Sequence, residues 1–224
     1  MACAVGLRNY RAAIRHAAAG AETCRAQGEG CPGMVRRPHI LKRETLFTGR
    51  KVRLEVHHVR DSGGRETTRE VVRHGGSVAI VAEPVPGTVL LERIWRYAVA
   101  GRLLEIPAGT LEAGETGAAC AVRELAEETG YRAGAVEPLI TIYTSPGFLT
   151  ERITIFAATD LAPGEPAREP GEQIENVLVP VDEALAMIAD GRIDDAKTVC
   201  GLLLAYGRRP AGGTAGAARG KDGA

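Results

Sequence analysis

The chain has 224 residues, which suits one catalytic domain with extensions better than two full domains, since domains run to about 100–200 residues each. Its 45% hydrophobic and 25% charged content is that of a globular protein with a sizeable core, and 28 basic against 28 acidic side chains leave no net field to draw it onto nucleic acid or an anionic membrane. Five scattered cysteines without C-x-x-C spacing argue against a zinc site or a disulfide framework, and no apolar run approaches the roughly 20 residues of a membrane span, so the expected setting is a reducing cytoplasm.

Residues 1–34 are Gly- and Ala-rich and read as a disordered extension, or as an upstream region ahead of Met34, where patterned sequence begins. In the next block, 35–75, KVRLEVHHV alternates apolar side chains and DSGGR is a turn signal before ETTREVVRH, which predicts a small antiparallel β unit. The β-branched runs SVAIVAE and TVLLERIW flank the turn PVPG, and RLLEIPAG reads as a further strand. From Thr116 to Thr129 the recurrence of Ala118, Ala121, Val122, Leu125 and Ala126 predicts a helix, stopped by Gly130. LITIYTS and RITIFAATDL are strand-like; VDEALAMIADG and DDAKTVCGLLLAYG are two more amphipathic helices, each ending in glycine. Residues 208–224 again read as a disordered tail. The whole predicts an α/β protein: an α/β/α sandwich with a mixed sheet over 76–207, preceded by the antiparallel β unit.

The segment that carries chemistry is GTLEAGETGAACAVRELAEETGY, Gly109 to Tyr131. On a helix Glu124, Glu127 and Glu128 stand at i, i+3 and i+4 and share a face, about opposite the Val122/Leu125/Ala126 stripe. Three clustered carboxylates supply the hard oxygen ligands that Mg2+ takes alongside substrate phosphates and water. Spacing alone also describes an ordinary solvated acidic face. The full string, G-x5-E-x7-R-E-L-x-E-E-x-G, is far more specific, and it closely resembles the signature of the Nudix hydrolases; Tyr131 departs only in being aromatic where an aliphatic residue is usual.

That resemblance implies Mg2+, with Mn2+ as the alternative, held by Glu124, Glu127, Glu128 and the Ala108 carbonyl, and an ion pair between Glu115 and Arg123. It extends over residues 43 to 205 and points to the ADP-ribose (ADP-sugar) pyrophosphatases, through RETLFTG, REVVRH, VLLERIWRYAVAGRLLEIPAG, SPGFLTER and GRIDDAKTV. Pro146 stands sixteen residues beyond Gly130, where this subgroup has its marker proline. By matching position Arg96 is the candidate phosphate grip, although Ile94 and Trp95 replace the usual pair before it, and Arg69 is the candidate for the nucleotide end. Glu172 matches a loop glutamate that serves as metal ligand or base, with Glu169 and Glu175 in reserve; Glu172 or Glu128 would take the proton.

The implied reaction is attack of a metal-activated water on a nucleoside diphosphate sugar, giving AMP and a sugar phosphate. Resemblance also implies a homodimer through the N-terminal strands of residues 35–75. Competing readings are another nucleoside diphosphate derivative as substrate, a non-catalytic nucleotide-sensing module on the same fold, and a purely structural acidic helix. Cys120 reads as a small packed thiol, and His57, His58 and His74 as surface or strand residues.

Overall fold

A computed structural model describes residues 37–168, 171 and 173–207. The expectations for residues 1–34 and 208–224, and those for Glu169 and Glu172, lie outside the described residues.

The N-terminal β unit is a three-stranded antiparallel sheet of β1 (His39–Thr48), β2 (Val52–Arg60) and β3 (Glu66–His74), with β2 central. DSGGR closes the β2–β3 hairpin: the Asp61 carboxylate accepts from Gly63 N–H at 2.9 Å and Arg65 N–H at 3.0 Å, while Gly64 takes the left-handed conformation at φ 84° that a side chain would strain. His57, His58 and His74 are strand residues, as expected. His57 is buried and bonds Glu55 at 2.8 Å, because the Arg53, Glu55 and Arg73 side chains gather on its face of the sheet.

Beyond it run β4 (Ser77–Ala82), β5 (Thr88–Arg96), β6 (Gly101–Glu105), β7 (Ala108–Thr110), α1 (Gly117–Thr129), β8 (Arg132–Tyr143), β9 (Arg152–Ala162), β10 (Ile174–Pro180), α2 (Val181–Ala189) and α3 (Ala196–Tyr206). They form two sheets, a mixed one in the order β7-β4-β9-β8, in which β4 and β9 are parallel, and an antiparallel one in the order β10-β5-β6. PVPG is a turn as expected, with Thr88 N–H donating to Val85 O at 3.0 Å, but the strands it joins lie in different sheets. β4 is buried on both faces along its whole length, so its apolar run belongs in the centre of a sheet, between β7 and β9, while β5 crosses to the second sheet.

The alternation of β4 divides the core. Ala79 and Val81 pack with Val89, Leu91, Ile106, Ile155 and Leu202 on the side covered by α2 and α3. Val78, Ile80 and Ala82 pack with Leu90 and Phe156 against Cys120, Ala121 and Leu125 of α1. This is the expected sandwich. Leu125 is fully buried, worth about 1.5–3 kcal/mol, and such contacts lock α1 over the mixed sheet.

Candidate active site

Four consecutive residues, from the last of β6 to the first of β7, are each tied to another element. Glu105 accepts two bonds of 2.7 Å from Arg96 and pairs with Lys197 of α3. Ile106 N–H donates to Thr198 Oγ1 at 2.9 Å, Pro107 O accepts from Ile80 N–H at 2.8 Å, and Ala108 N–H donates to the Glu128 carboxylate at 3.1 Å. A strand end pinned at every residue presents Ala108 and Gly109 to α1 in one fixed position.

The helix is held at both ends. Thr116 caps it by accepting from Ala119 N–H. At the far end Gly130 has φ 81°, and a Cβ there would lie 2.3 Å from Gly164 O, so this glycine is required both by its conformation and by the close passage of the 163–168 segment. That segment and β10 cover the last carbonyls of α1: Ala167 N–H donates to Glu127 O and Arg168 Nε to Glu128 O from the segment, and Asn176 Nδ2 of β10 to Thr129 O, at 2.8–3.1 Å.

The acidic face does not point away from the protein as the apolar stripe suggested. Cys120, Ala121, Leu125, Glu128 and Thr129 are buried, whereas Val122 is 38% exposed and Ala118 is exposed. α1 is rotated so that Glu124 and Glu128 turn inward toward the Ala108–Gly109 strand. Glu124 rests directly on Gly109, where an added Cβ would sit 1.8 Å from its carboxyl carbon. Burial pushes the Glu124 carboxyl above its ordinary range, Arg123 opposes that, and the neighbouring Glu127 and Glu115 charges add to it.

The expected Glu115–Arg123 ion pair is present and bidentate, with two bonds of 2.9 Å. Bonding to Arg123 holds the Glu115 carboxyl down at about 2, and the same guanidinium reaches Glu127 at 3.0 Å and Glu124 at 2.9 Å. One arginine thus gathers three of the box carboxylates. Cys120 is the packed thiol expected, pushed up to about 12 by burial.

Among the described residues no three His, Cys, Asp or Glu side chains meet closely enough to hold a metal ion as they stand, because Glu127 leans to Arg123 and Glu128 to Ala108. The donor chemistry nevertheless fits a hard divalent cation. Glu124, Glu127 and Glu128 offer carboxylate oxygens, and the glycine wall at Gly109 lets Glu124 lie against the strand that carries the Ala108 carbonyl. A carboxylate whose ionisation is opposed by burial and by like charges is one that a cation relieves.

Arg96 joins this site. Its guanidinium is held above its ordinary pKa by bonding to Glu105, and the Glu128 and Asp195 charges act on it as well. Arg69 is elsewhere, exposed on β3 and bonded to Thr67 and Thr68 of its own strand. Pro146 is exposed in the turn after β8. That turn docks beside the end of β3 through Val72 N–H to Phe148 O at 2.8 Å and Thr150 N–H to Val72 O at 2.9 Å, so the strand of Arg69 and the loop of Pro146 are joined. Residue-by-residue reading missed Glu105, Asp195, Lys197 and Thr198; EIPA and DDAKT were the signals, and they lie about 90 residues apart.

A model of the NUDIX domain matches residues 73–202. The chain is 40% identical over 161 residues to the methanol dehydrogenase activator of Bacillus methanolicus, spanning 71% of this chain and 87% of that protein. It is 36% identical over 160 residues to the ADP-ribose pyrophosphatase of Bacillus subtilis (strain 168), spanning 70% of this chain and 86% of that protein. The fold superposes on the crystal structure of an ADP compounds hydrolase with a TM-score of 0.69 at 24% identity, covering 77% of this chain and 94% of that one.

Proposed function

The chain belongs to the NUDIX family as a Nudix hydrolase, and from that premise we propose that it cuts ADP-ribose, or a related nucleoside diphosphate sugar, between its phosphates to give AMP and a sugar phosphate. The observation that carries this reading is the inward pair Glu124 and Glu128 beside the Gly109 wall, with Arg96 close enough to feel the Glu128 charge.

Glu124, Glu127, Glu128 and the Ala108 carbonyl would hold Mg2+ or Mn2+, with Glu172 as a further ligand. A cation bound there lowers the pKa of water and neutralises charge on the phosphates. Arg96, whose Nη1 is left over after its two bonds to Glu105, grips one phosphate. As water adds to phosphorus and the bond to the bridging oxygen breaks, Glu128 or Glu172 accepts the water proton. Arg123 keeps Glu124 and Glu127 in place through its bonds to them. Arg69 and Pro146 serve the nucleotide end, which the docking of the Pro146 loop beside β3 supports.

Residues 76–207 form the catalytic domain and 35–75 a dimerisation unit. The exposed Leu46 and Phe47 of β1 support a homodimer through that sheet. Among the described residues no helix is long and apolar enough to cross a membrane.

Steady-state rates on ADP-ribose, ADP-glucose, GDP-mannose and NADH with Mg2+ test the substrate assignment. The highest kcat/KM should fall on ADP-ribose. ADP-ribose binding without turnover of any diphosphate would replace hydrolysis by nucleotide sensing. The relative named methanol dehydrogenase activator favours a second reading, a chain that modulates a partner dehydrogenase; it predicts that adding the protein raises the dehydrogenase's turnover.

A further inference from the structure

Lys197 is among the few buried charged residues of those described, and it lies on α3, outside the box. It sits in a chain of alternating charges. Arg96 bonds Glu105 twice, Glu105 pairs with Lys197, and Lys197 reaches Asp195 Oδ2 at 3.0 Å. Asp195 is fixed in turn as the N-cap of α3, accepting from Thr198 N–H at 3.0 Å and from Thr198 Oγ1 at 2.6 Å, while Thr198 Oγ1 accepts from Ile106 N–H. Every member is thus held by at least one neighbour, and the chain ends on Arg96.

Glu105 is 2% exposed, whereas the Arg96 side chain is 41% exposed. A buried carboxylate needs counter-charge, and removing one of two cations leaves the other to compensate alone. With Lys197 in place, Glu105 shares its charge between two partners, one deep and one facing the site. Without Lys197, Glu105 would draw the Arg96 guanidinium inward as its sole cation and away from an incoming phosphate.

We infer that Lys197 is a positioning residue, which through Glu105 holds the Arg96 guanidinium outward where a substrate phosphate can take it. This rests on the proposed reading of Arg96 as the phosphate grip. It assigns work in the reaction to the start of the last helix, and it accounts for a lysine buried between two carboxylates far in sequence from the box.

The test is steady-state kinetics on ADP-ribose with Mg2+ for Lys197→Met, Lys197→Arg, Arg96→Gln and the double variant Arg96→Gln/Lys197→Met, with a thermal melt of each. Lys197→Met should raise KM by about tenfold with kcat changed less than about threefold, because it weakens ground-state grip rather than the chemical step. Lys197→Arg should restore most of the KM. The double variant should have the KM of Arg96→Gln alone, since the lysine acts only through that arginine.

The 15N–1H signal of Arg96 Nε, identified by its loss in Arg96→Gln, gives a readout without substrate. It should shift in Lys197→Met and return toward its place in Lys197→Arg. Should Lys197→Met fail to fold, Lys197→Gln takes its place in both measurements. If Arg96→Gln leaves KM unchanged, the phosphate-grip reading falls and this inference with it. If Arg96→Gln raises KM but the lysine variants do not, or the two effects multiply in the double variant, the inference alone is overturned.

Discussion

Gly109→Ala separates stability from function in one methyl group. The added Cβ would lie 1.8 Å from the Glu124 carboxyl carbon, 2.0 Å from Oε1 and 2.4 Å from Cγ, and the carboxyl-carbon gap must open to at least 3.0 Å, a displacement of 1.2 Å or more. The obstructing atoms belong to the far end of a flexible side chain, so Glu124 can yield by rotating. The cost in folding should be about 0.5–1.5 kcal/mol, that of an off-rotamer side chain, and the melting temperature should fall by no more than roughly 5 °C. Function has no such escape. With Glu124 as the proposed metal ligand, a shift of this size should cost about 100-fold in rate. Turnover of ADP-ribose at saturating Mg2+, measured beside a melt of the same preparation, checks both numbers. An alanine variant with full activity would refute the placement of Glu124 against this wall, and one that fails to fold would show that the wall is structural.

Gly130→Ala should behave in the opposite way, because its Cβ would meet the Gly164 backbone at 2.3 Å in a left-handed conformation; a loss of about 2–4 kcal/mol, read as a melting point lower by roughly 5–15 °C, is expected. In the N-terminal sheet, bonding to His57 and then to Arg73 and Arg53 outweighs burial and lowers the Glu55 carboxyl from 4.5 to about 2. A depressed carboxyl contributes stability above its unfolded pKa and loses it as pH falls through the folded one, so the advantage of wild type over Glu55→Gln should be full at pH 6 and vanish as pH drops from about 4.5 to 2, followed by denaturant melts at each pH. Cys120, pushed up to about 12 by burial, should resist iodoacetamide at pH 8 in the folded protein and react once unfolded, as peptide mapping by mass would report.

What was legible in the sequence was local. α1 could be read to within a residue because its period is helical over three turns and Gly130 stops it. Its orientation could not. The apolar residues Ala118 and Val122 face solvent while Glu128 and Thr129 are buried, since the strand at Ala108 and the 163–168 segment offer polar partners that only the assembled fold brings together. PVPG shows a related limit: its turn was legible, but turn chemistry does not say which sheet the second strand enters. The carboxylates of the box stood out by spacing within one helix, and Arg96 by resemblance. Glu105 and Lys197 pair across 92 positions, and no local period connects them. The N-terminal unit was read correctly as antiparallel because alternation and the DSGGR turn agree, yet its buried Glu55–His57 pair needed three strands side by side to be visible.

The central claim is that Glu128 works with a divalent cation to cleave a diphosphate. It is tested most directly by the rate of AMP formation from ADP-ribose with Mg2+, with Mg2+ plus chelator, and with Glu128→Gln protein. The account predicts AMP and ribose 5-phosphate in equal amounts, no formation under chelation, and a rate lower by about 100- to 10,000-fold in the variant, the range expected for loss of a proton-accepting group. AMP formation that survives both the chelator and the substitution would contradict it.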